Sequence, residues 1–229
     1  PNNIHVADLD NDGDQDIVTA NYGGSPGDST QLYWYPNLDG SGTFGDKKII
    51  PIEGFIMMTA VHAADLDGDG DMDIIATDDA EHLAWFENTD GNGNFNSQKN
   101  ISTSVWHSNC IRSADVDLDG DLDLYVQGHD GEVGLAVLYL NIGALLSPAE
   151  EMQLEGYYNG SADWGDFDND NDLDLICTGN LGGGVYGVTY YENDSNGLLI
   201  PDGTHDLPGV DLSDVAAGDY DNDGDLDLA

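Results

Sequence analysis

Basic residues are almost absent from this chain. Lys47, Lys48, Lys99 and Arg112 stand against 46 acidic residues, for a formal net charge of −42 over 229 residues. A surface so negative repels nucleic-acid phosphates and anionic lipid headgroups, which excludes both as partners. Cysteine is nearly missing too. Cys110 and Cys177 are too few for a disulfide framework, and each falls in a short apolar run, where a free thiol packs as a small hydrophobe. No apolar run approaches the ~20 residues that a bilayer-spanning helix needs, so direct membrane insertion is not expected. The chain opens at Pro1 without a signal peptide, so any export signal is removed or lies outside this piece. Also lacking are a Gly-x-Ser-x-Gly elbow, a His-Glu-x-x-His helix and a phosphate-cradling glycine loop. No segment holds a helical period.

Strong acidity often accompanies disorder, but 39% of residues are hydrophobic and they recur in short, strand-like runs. The acid is concentrated rather than spread. Five nine-residue windows carry five aspartates each: Asp8, Asp10, Asp12, Asp14 and Asp16; Asp65, Asp67, Asp69, Asp71 and Asp73; Asp115, Asp117, Asp119, Asp121 and Asp123; Asp166, Asp168, Asp170, Asp172 and Asp174; Asp219, Asp221, Asp223, Asp225 and Asp227. Their starts lie 57, 50, 51 and 53 residues apart. The longer first interval is explained by a surface insertion at Gly23 to Ser29.

The repeat extends beyond these loops. Before each comes an apolar stretch ending in a small residue, as in Ile4-His5-Val6-Ala7 and Val61-His62-Ala63-Ala64. Behind the first four comes a second strand (Ile17-Val18-Thr19, Ile74-Ile75-Ala76, Leu124-Tyr125-Val126, Leu175-Ile176-Cys177). A third, aromatic strand ends in asparagine at Asn37, Asn88, Asn141 and Asn193, and turns such as Asp39-Gly40 and Asp90-Gly91 lead to a fourth, variable stretch. Four short strands per ~50 residues is the size of a propeller blade, which needs neighbours to bury its faces. The expected fold is all-β: a β-propeller of four-stranded blades, partial, with four full repeats and part of a fifth. The repeats run approximately 1–57, 58–107, 108–158, 159–211 and 212–229 within one repeat region, 1–229. Trp34, Trp85, Tyr35, Phe86, Tyr139, Tyr190 and Tyr191 are the expected packing groups between blades.

Alternate carboxylates on a tightly curved loop suit a cation that takes six to eight oxygen ligands, which is the preference of calcium. Positions 1, 3, 5 and 9 of each loop offer carboxylates, and position 7 can offer its backbone carbonyl. Glycine at position 6 (Gly13, Gly70, Gly120, Gly224) permits a left-handed turn, as does Asn171 in the fourth loop. Magnesium demands a stricter octahedron, and zinc would want His or Cys in the loop. An EF-hand would need a glutamate at position 12, where this chain has Thr19, Ala76, Val126 and Cys177.

The Asp-x-Asp-x-Asp-Gly-Asp-x-Asp loop between two strands, followed by an aromatic strand ending in asparagine, resembles the FG-GAP/VCBS repeat family. That family includes the propeller headpiece of integrin α subunits and many secreted bacterial proteins. The resemblance covers essentially the whole chain. It implies a calcium loop joining the first two strands of each blade, with all five aspartates of each window as the ligand set and about one calcium ion per loop. Family propellers usually close with more blades than this chain supplies, so the chain is expected to be a piece of a longer protein or an open array.

Two functions are compatible with these features. The first is a non-catalytic, calcium-binding, secreted or cell-surface module for adhesion, or for binding an extracellular protein or carbohydrate. The second is the propeller domain of a carbohydrate-active enzyme such as a polysaccharide lyase. For the second, the residues three before each loop, His5, His62, Arg112, Asp163 and Ala216, would have to act together in a central channel. Ordinary channel-lining polar residues are the plainer reading of that row. His82, His107, His129 and His205 lack any partner at a telling spacing and read as surface or turn residues.

Overall fold

The computed structural model describes residues 4–21, 30–101, 104–129, 133–149, 152, 154–202, 207, 209 and 214–229. The Gly23 to Ser29 insertion and His205 lie outside them. Among the described residues there is no helix, so none long and apolar enough to cross a membrane.

Four sheets follow one another along the chain, each an antiparallel meander of four sequential strands. The first is β1 (Ile4–Ala7), β2 (Asp16–Asn21), β3 (Gln31–Tyr35) and β4 (Lys48–Ile50). The second is β5 (Met58–Ala64), β6 (Asp73–Asp78), β7 (Leu83–Phe86) and β8 (Lys99–Ile101). The third is β9 (Trp106–Ala114), β10 (Asp123–His129), β11 (Gly134–Asn141) and β12 (Leu146–Pro148). The fourth is β13 (Tyr158–Gly165), β14 (Asp174–Gly182), β15 (Val185–Asn193) and β16 (Leu199–Asp202). A two-stranded fragment, β17 (Ala217–Gly218) and β18 (Asp227–Leu228), carries the fifth loop.

The chain divides into two compact units, Pro1–Ser108 and Asn109–Ala229, and the division falls beside the expected boundary between the second and third repeats. In the first unit, one core joins two sheets. Val18, Ala20, Leu32 and Trp34 of the first sheet share it with Val61, Ala63, Ile74, Ala76 and Phe86 of the second. In the second unit, Cys110, Tyr125 and Leu138 of the third sheet share a core with Ala162, Leu175, Cys177 and Tyr191 of the fourth. A single four-stranded sheet cannot bury both faces, so pairing sheets on one core supplies what each lacks.

The alternation of β3 is plain: Leu32 and Trp34 are buried while Gln31, Tyr33 and Tyr35 are only partly so. All six residues of β6 are buried, as in a strand covered on both faces. The two cysteines are buried free thiols, and burial pushes both thiols up in pKa, consistent with inert packing groups. Gly93, at φ +69°, lies against the Trp34 ring so closely that an added Cβ would collide with it, locking the second repeat's hairpin onto the first repeat's tryptophan. Three of the four cations lie over aromatic rings: Lys48 over Trp34 at 4.0 Å, Lys99 over Trp85 at 3.9 Å and Lys47 over Tyr33 at 4.8 Å.

Candidate metal centre

Each aspartate window is the connection between the first and second strands of its sheet, or of the two-stranded fragment. Its curvature comes from two left-handed positions. Position 6 has φ near +95° in Gly13, Gly70, Gly120 and Gly224, and +75° in Asn171. Position 4 is also left-handed in all five loops: Asn11 (+55°), Gly68 (+72°), Leu118 (+61°), Asn169 (+64°) and Asn222 (+62°). The sequence carried a signal for the second bend, since four of those five residues are Asn or Gly, the types that tolerate this conformation. Leu118 is the exception.

The curled backbone hydrogen-bonds to its own carboxylates. The position-1 aspartate accepts from the position-6 amide in every loop, at 3.0 Å for Gly13 to Asp8 and 2.9 Å for Gly70 to Asp65. The position-5 aspartate accepts from the position-7 amide, as Asp14 N–H to Asp12 at 2.9 Å. One oxygen of each is thereby held, which orients the other.

Position 9 is the buried hub. Asp16, Asp73, Asp123 and Asp174 are fully buried. In each, one oxygen accepts from the position-2 amide (Leu9, Leu66, Val116, Phe167) and the other from the backbone amide of the asparagine that ends the aromatic strand (Asn37, Asn88, Asn141, Asn193). Those asparagines are functional residues that sequence reasoning recognised only as a pattern. Their side-chain amides donate to the position-8 carbonyls of Gln15, Met72, Leu122 and Leu173. Two of them reach further: Asn88 donates to Leu9 O of the preceding loop at 3.0 Å, and Asn193 to Val116 O at 2.8 Å.

Three carboxylate oxygens converge in each loop, all within 4.8 Å of one another. They come from Asp8, Asp10 and Asp16; Asp65, Asp67 and Asp73; Asp115, Asp117 and Asp123; Asp166, Asp168 and Asp170; and Asp219, Asp221 and Asp227. Oxygens on opposite sides of a calcium ion, at ~2.4 Å each, stand about that far apart. Within these clusters, Oδ1 of Asp8, Asp10, Asp67 and Asp115 is buried without a hydrogen-bond partner. A buried carboxylate oxygen left unpaired is costly, and a cation at each of the three clusters concerned is a partner that such oxygens fit.

Electrostatics agree. Burial, opposed by the backbone amides of Asn88 and Leu66, pushes Asp73 up to about 7. Burial likewise pushes Asp123 up to about 6. Asp10, Asp67, Asp117 and Asp168 are raised as well, by burial first and by the aspartate two residues on second. Charge is penalised where the carboxylates meet, and a divalent ion relieves that penalty.

The fourth loop departs from the pattern. Its cluster takes Asp170 in place of the position-9 residue Asp174, to which Tyr190 OH donates at 2.8 Å. Tyr190 stands where the other repeats have Trp34, Trp85 and Leu138, none of which has a hydroxyl. The position-7 side chains do not join the clusters. Asp71 accepts from Asn11 at 2.6 Å and Asp225 from Asn169 at 3.1 Å, each linking two successive loops. Asp121 accepts from the Gly143 amide and Asp172 from the Ser195 hydroxyl. At Gly40 an added Cβ would collide with the Asp14 carboxylate.

The row three residues before the loops makes neighbouring pairs. The rings of His5 and His62 meet edge-on at 4.5 Å. The Arg112 guanidinium lies 3.9 Å from Asp163 and donates to Ser161, while Asp163 accepts from the Ala217 amide. His82 and His107 are partly exposed, as surface groups are, but each remaining described histidine has a partner that its spacing did not point to. His82 pairs with Asp78 at 2.7 Å, His107 with Asp79, and His129 stacks on Tyr158 with ring centroids 4.5 Å apart. Spacing alone concealed them because each partner, except the Asp78 four residues before His82, lies more than two dozen residues away.

Comparison with known proteins places the chain. No curated protein matches it. The crystal structure of the V. cholerae biofilm matrix protein Bap1 is similar over 86% of this chain and 38% of its own, at 20% identity and a TM-score of 0.41. The chain thus spans less than half of that protein's length. The FG-GAP-like repeat matches residues 8–76, 65–126 and 166–229, which together take in all five aspartate loops whole. The chain belongs to the FG-GAP-like repeat family.

Proposed function

We propose that this chain is a calcium-stabilised, non-catalytic extracellular module that presents a repeat scaffold for adhesion or for binding a protein or carbohydrate ligand. The observation that carries the reading is the set of five three-carboxylate clusters, with buried, unpartnered oxygens in three of them. The ligand set is the carboxylates of positions 1, 3, 5 and 9 with the position-7 backbone carbonyl. The position-7 side chains of Asp71, Asp121, Asp172 and Asp225 instead accept hydrogen bonds from outside their own loops. An all-oxygen set without histidine or thiolate favours calcium over zinc. Loops of this kind load readily at the millimolar calcium found outside cells, which supports a secreted or cell-surface location. Sequential four-stranded meanders at ~50-residue spacing support blades of a partial β-propeller.

The lyase alternative draws no support from the row it depends on. Arg112, which would neutralise a uronate, already faces the carboxylate of Asp163. The proposal is tested by calorimetric titration with calcium in a background of millimolar magnesium. Calcium uptake that magnesium does not block is expected. Equal displacement by magnesium, or no heat at all, contradicts it.

A further inference from the structure

A second kind of site lies in the first unit, away from the metal loops. A cavity of about 600 Å³ is lined by Pro51, Glu53, Gly54, His82, Ser97, Gln98 and Asn100. A hollow of about 300 Å³ also has His82 in its lining, with Asp79, Ala80, Glu81 and Trp106. These volumes fall in the range of small-molecule sites, ~300–1,000 Å³.

The walls are built before any ligand arrives. Asp78 is fully buried and accepts from the amides of Ile56, Ala80 and His82 as well as from the His82 ring. A carboxylate only accepts, so Nδ1 of His82 is the donor, and in the neutral ring Nε2 is left as an acceptor. Gly54 stands beside that nitrogen: a Cβ placed there would lie 3.8 Å from Nε2. In the same lining, Gln98 accepts from the Glu53 amide at 2.8 Å and donates to Glu53 O and to Asn100, tying the loop after β4 to the entry of β8. Trp106 is 39% exposed and its indole N–H is held by Glu81, so a ring face is fixed at the edge of the hollow.

We propose that this double cavity binds a neutral saccharide, one sugar stacked on Trp106 and the next hydrogen-bonded between His82, Glu53, Ser97 and Asn100. The chemistry selects the class. Fixed planar acceptors and amide donors match vicinal hydroxyls, and an exposed aromatic ring matches the C–H face of a pyranose. Among the described residues no lysine or arginine lines either cavity, and the chain's negative charge disfavours an anionic polymer. The site deepens the proposed binding role and rests on it.

The test uses the calcium-loaded chain, so that loss of fold and loss of the site are separate observations. Intrinsic fluorescence and calorimetry are followed during titration with dextran, laminarin, mannan and chitohexaose, with polygalacturonate as the anionic control. At least one neutral glycan is expected to bind and to perturb the emission of Trp106. Trp106→Ala and Glu53→Ala should each weaken it by about tenfold or more, at an unchanged melting temperature. Ser97→Ala, which leaves the Asp78 hub intact, provides a check if either variant folds poorly. Binding of polygalacturonate in preference, neutral-glycan binding indifferent to all three substitutions, or no binding by any of these probes overturns the site. None of those outcomes affects the calcium reading, which fails only if the chain takes up no calcium.

Discussion

The side-chain amide of Asn88 donates to the carbonyl of Leu9, 79 residues earlier in the chain. The same amide donates to Met72 O, and the Asn88 backbone amide to Asp73. One residue therefore joins the closing carboxylate of its own loop to the backbone of the loop before it. Asn193 repeats the arrangement with Val116, Leu173 and Asp174.

Removing that junction should be expensive. Asn88→Ala leaves two buried carbonyls without their donor, a loss of about 1–3 kcal/mol for each group left unsatisfied. Denaturant unfolding of the calcium-loaded variant should show that loss. It should exceed the effect of Asn92→Ala, which removes only the side-chain hydrogen bond to the Asp90 carbonyl at an exposed turn. Equal effects would mean that the junction carries no special weight.

Leu118 occupies the left-handed fourth position where its counterparts are Asn or Gly, and its side chain is exposed. The conformation costs an ordinary residue roughly 1–2 kcal/mol, with no packing to offset it. Leu118→Asn is expected to raise stability by about 1 kcal/mol, read from the denaturation midpoint. A destabilised variant would show that the leucine has a role in packing.

The fourth loop holds its position-9 aspartate through Tyr190 rather than offering it to the cluster. Tyr190→Phe removes the hydroxyl and leaves Oδ2 of Asp174 accepting from the Phe167 amide, as the matching oxygens of Asp16, Asp73 and Asp123 accept from their position-2 amides. The fourth site should then bind calcium several-fold more tightly, seen as a change in one class of sites by calorimetry. Unchanged or weaker binding would show that the tyrosine hydroxyl positions the site instead.

Acid and calcium should pull in opposite directions. Burial raises Asp73 to about 7 and Asp123 to about 6, from 3.8. Between pH 4 and 7 the chelated folded chain therefore retains protons that the unfolded chain has released. These groups favour the fold most at low pH, and their contribution declines as pH rises towards 7. Bound calcium favours the ionised forms, so the loaded chain should instead lose stability as pH falls. Urea unfolding at pH 5 and pH 7.5, with chelator and with calcium, measures both slopes. Parallel slopes would contradict the assignment of these aspartates to the cation.

Much of this was legible in the sequence because the repeat is written in residue types with strong local meaning. Aspartates at alternate positions, glycine at the sixth and a small residue before the loop identify the hairpin and its two strands. The four sheets begin and end close to the expected runs, and Trp34, Trp85, Phe86, Tyr139 and Tyr191 are buried as anticipated. What stayed hidden depends on contacts across sequence. That position 9 is a buried hub while position 7 faces a neighbouring group follows from where Asn88 and Asn11 lie in space. Five identical aspartate strings predict five equal clusters, yet the fourth takes Asp170 in place of Asp174, which accepts from Tyr190. The Asp78–His82 pair went unrecognised despite its four-residue spacing, and nothing local marks Asp78 as buried.

The most direct test of the account is a thermal melt with and without a calcium chelator, paired with a calorimetric count of bound ions. The account predicts uptake of up to five ions per chain, one for each carboxylate cluster, and a large fall in melting temperature on chelation. A melt indifferent to chelation, with no calcium bound, would contradict it and leave the clusters as acidic turns.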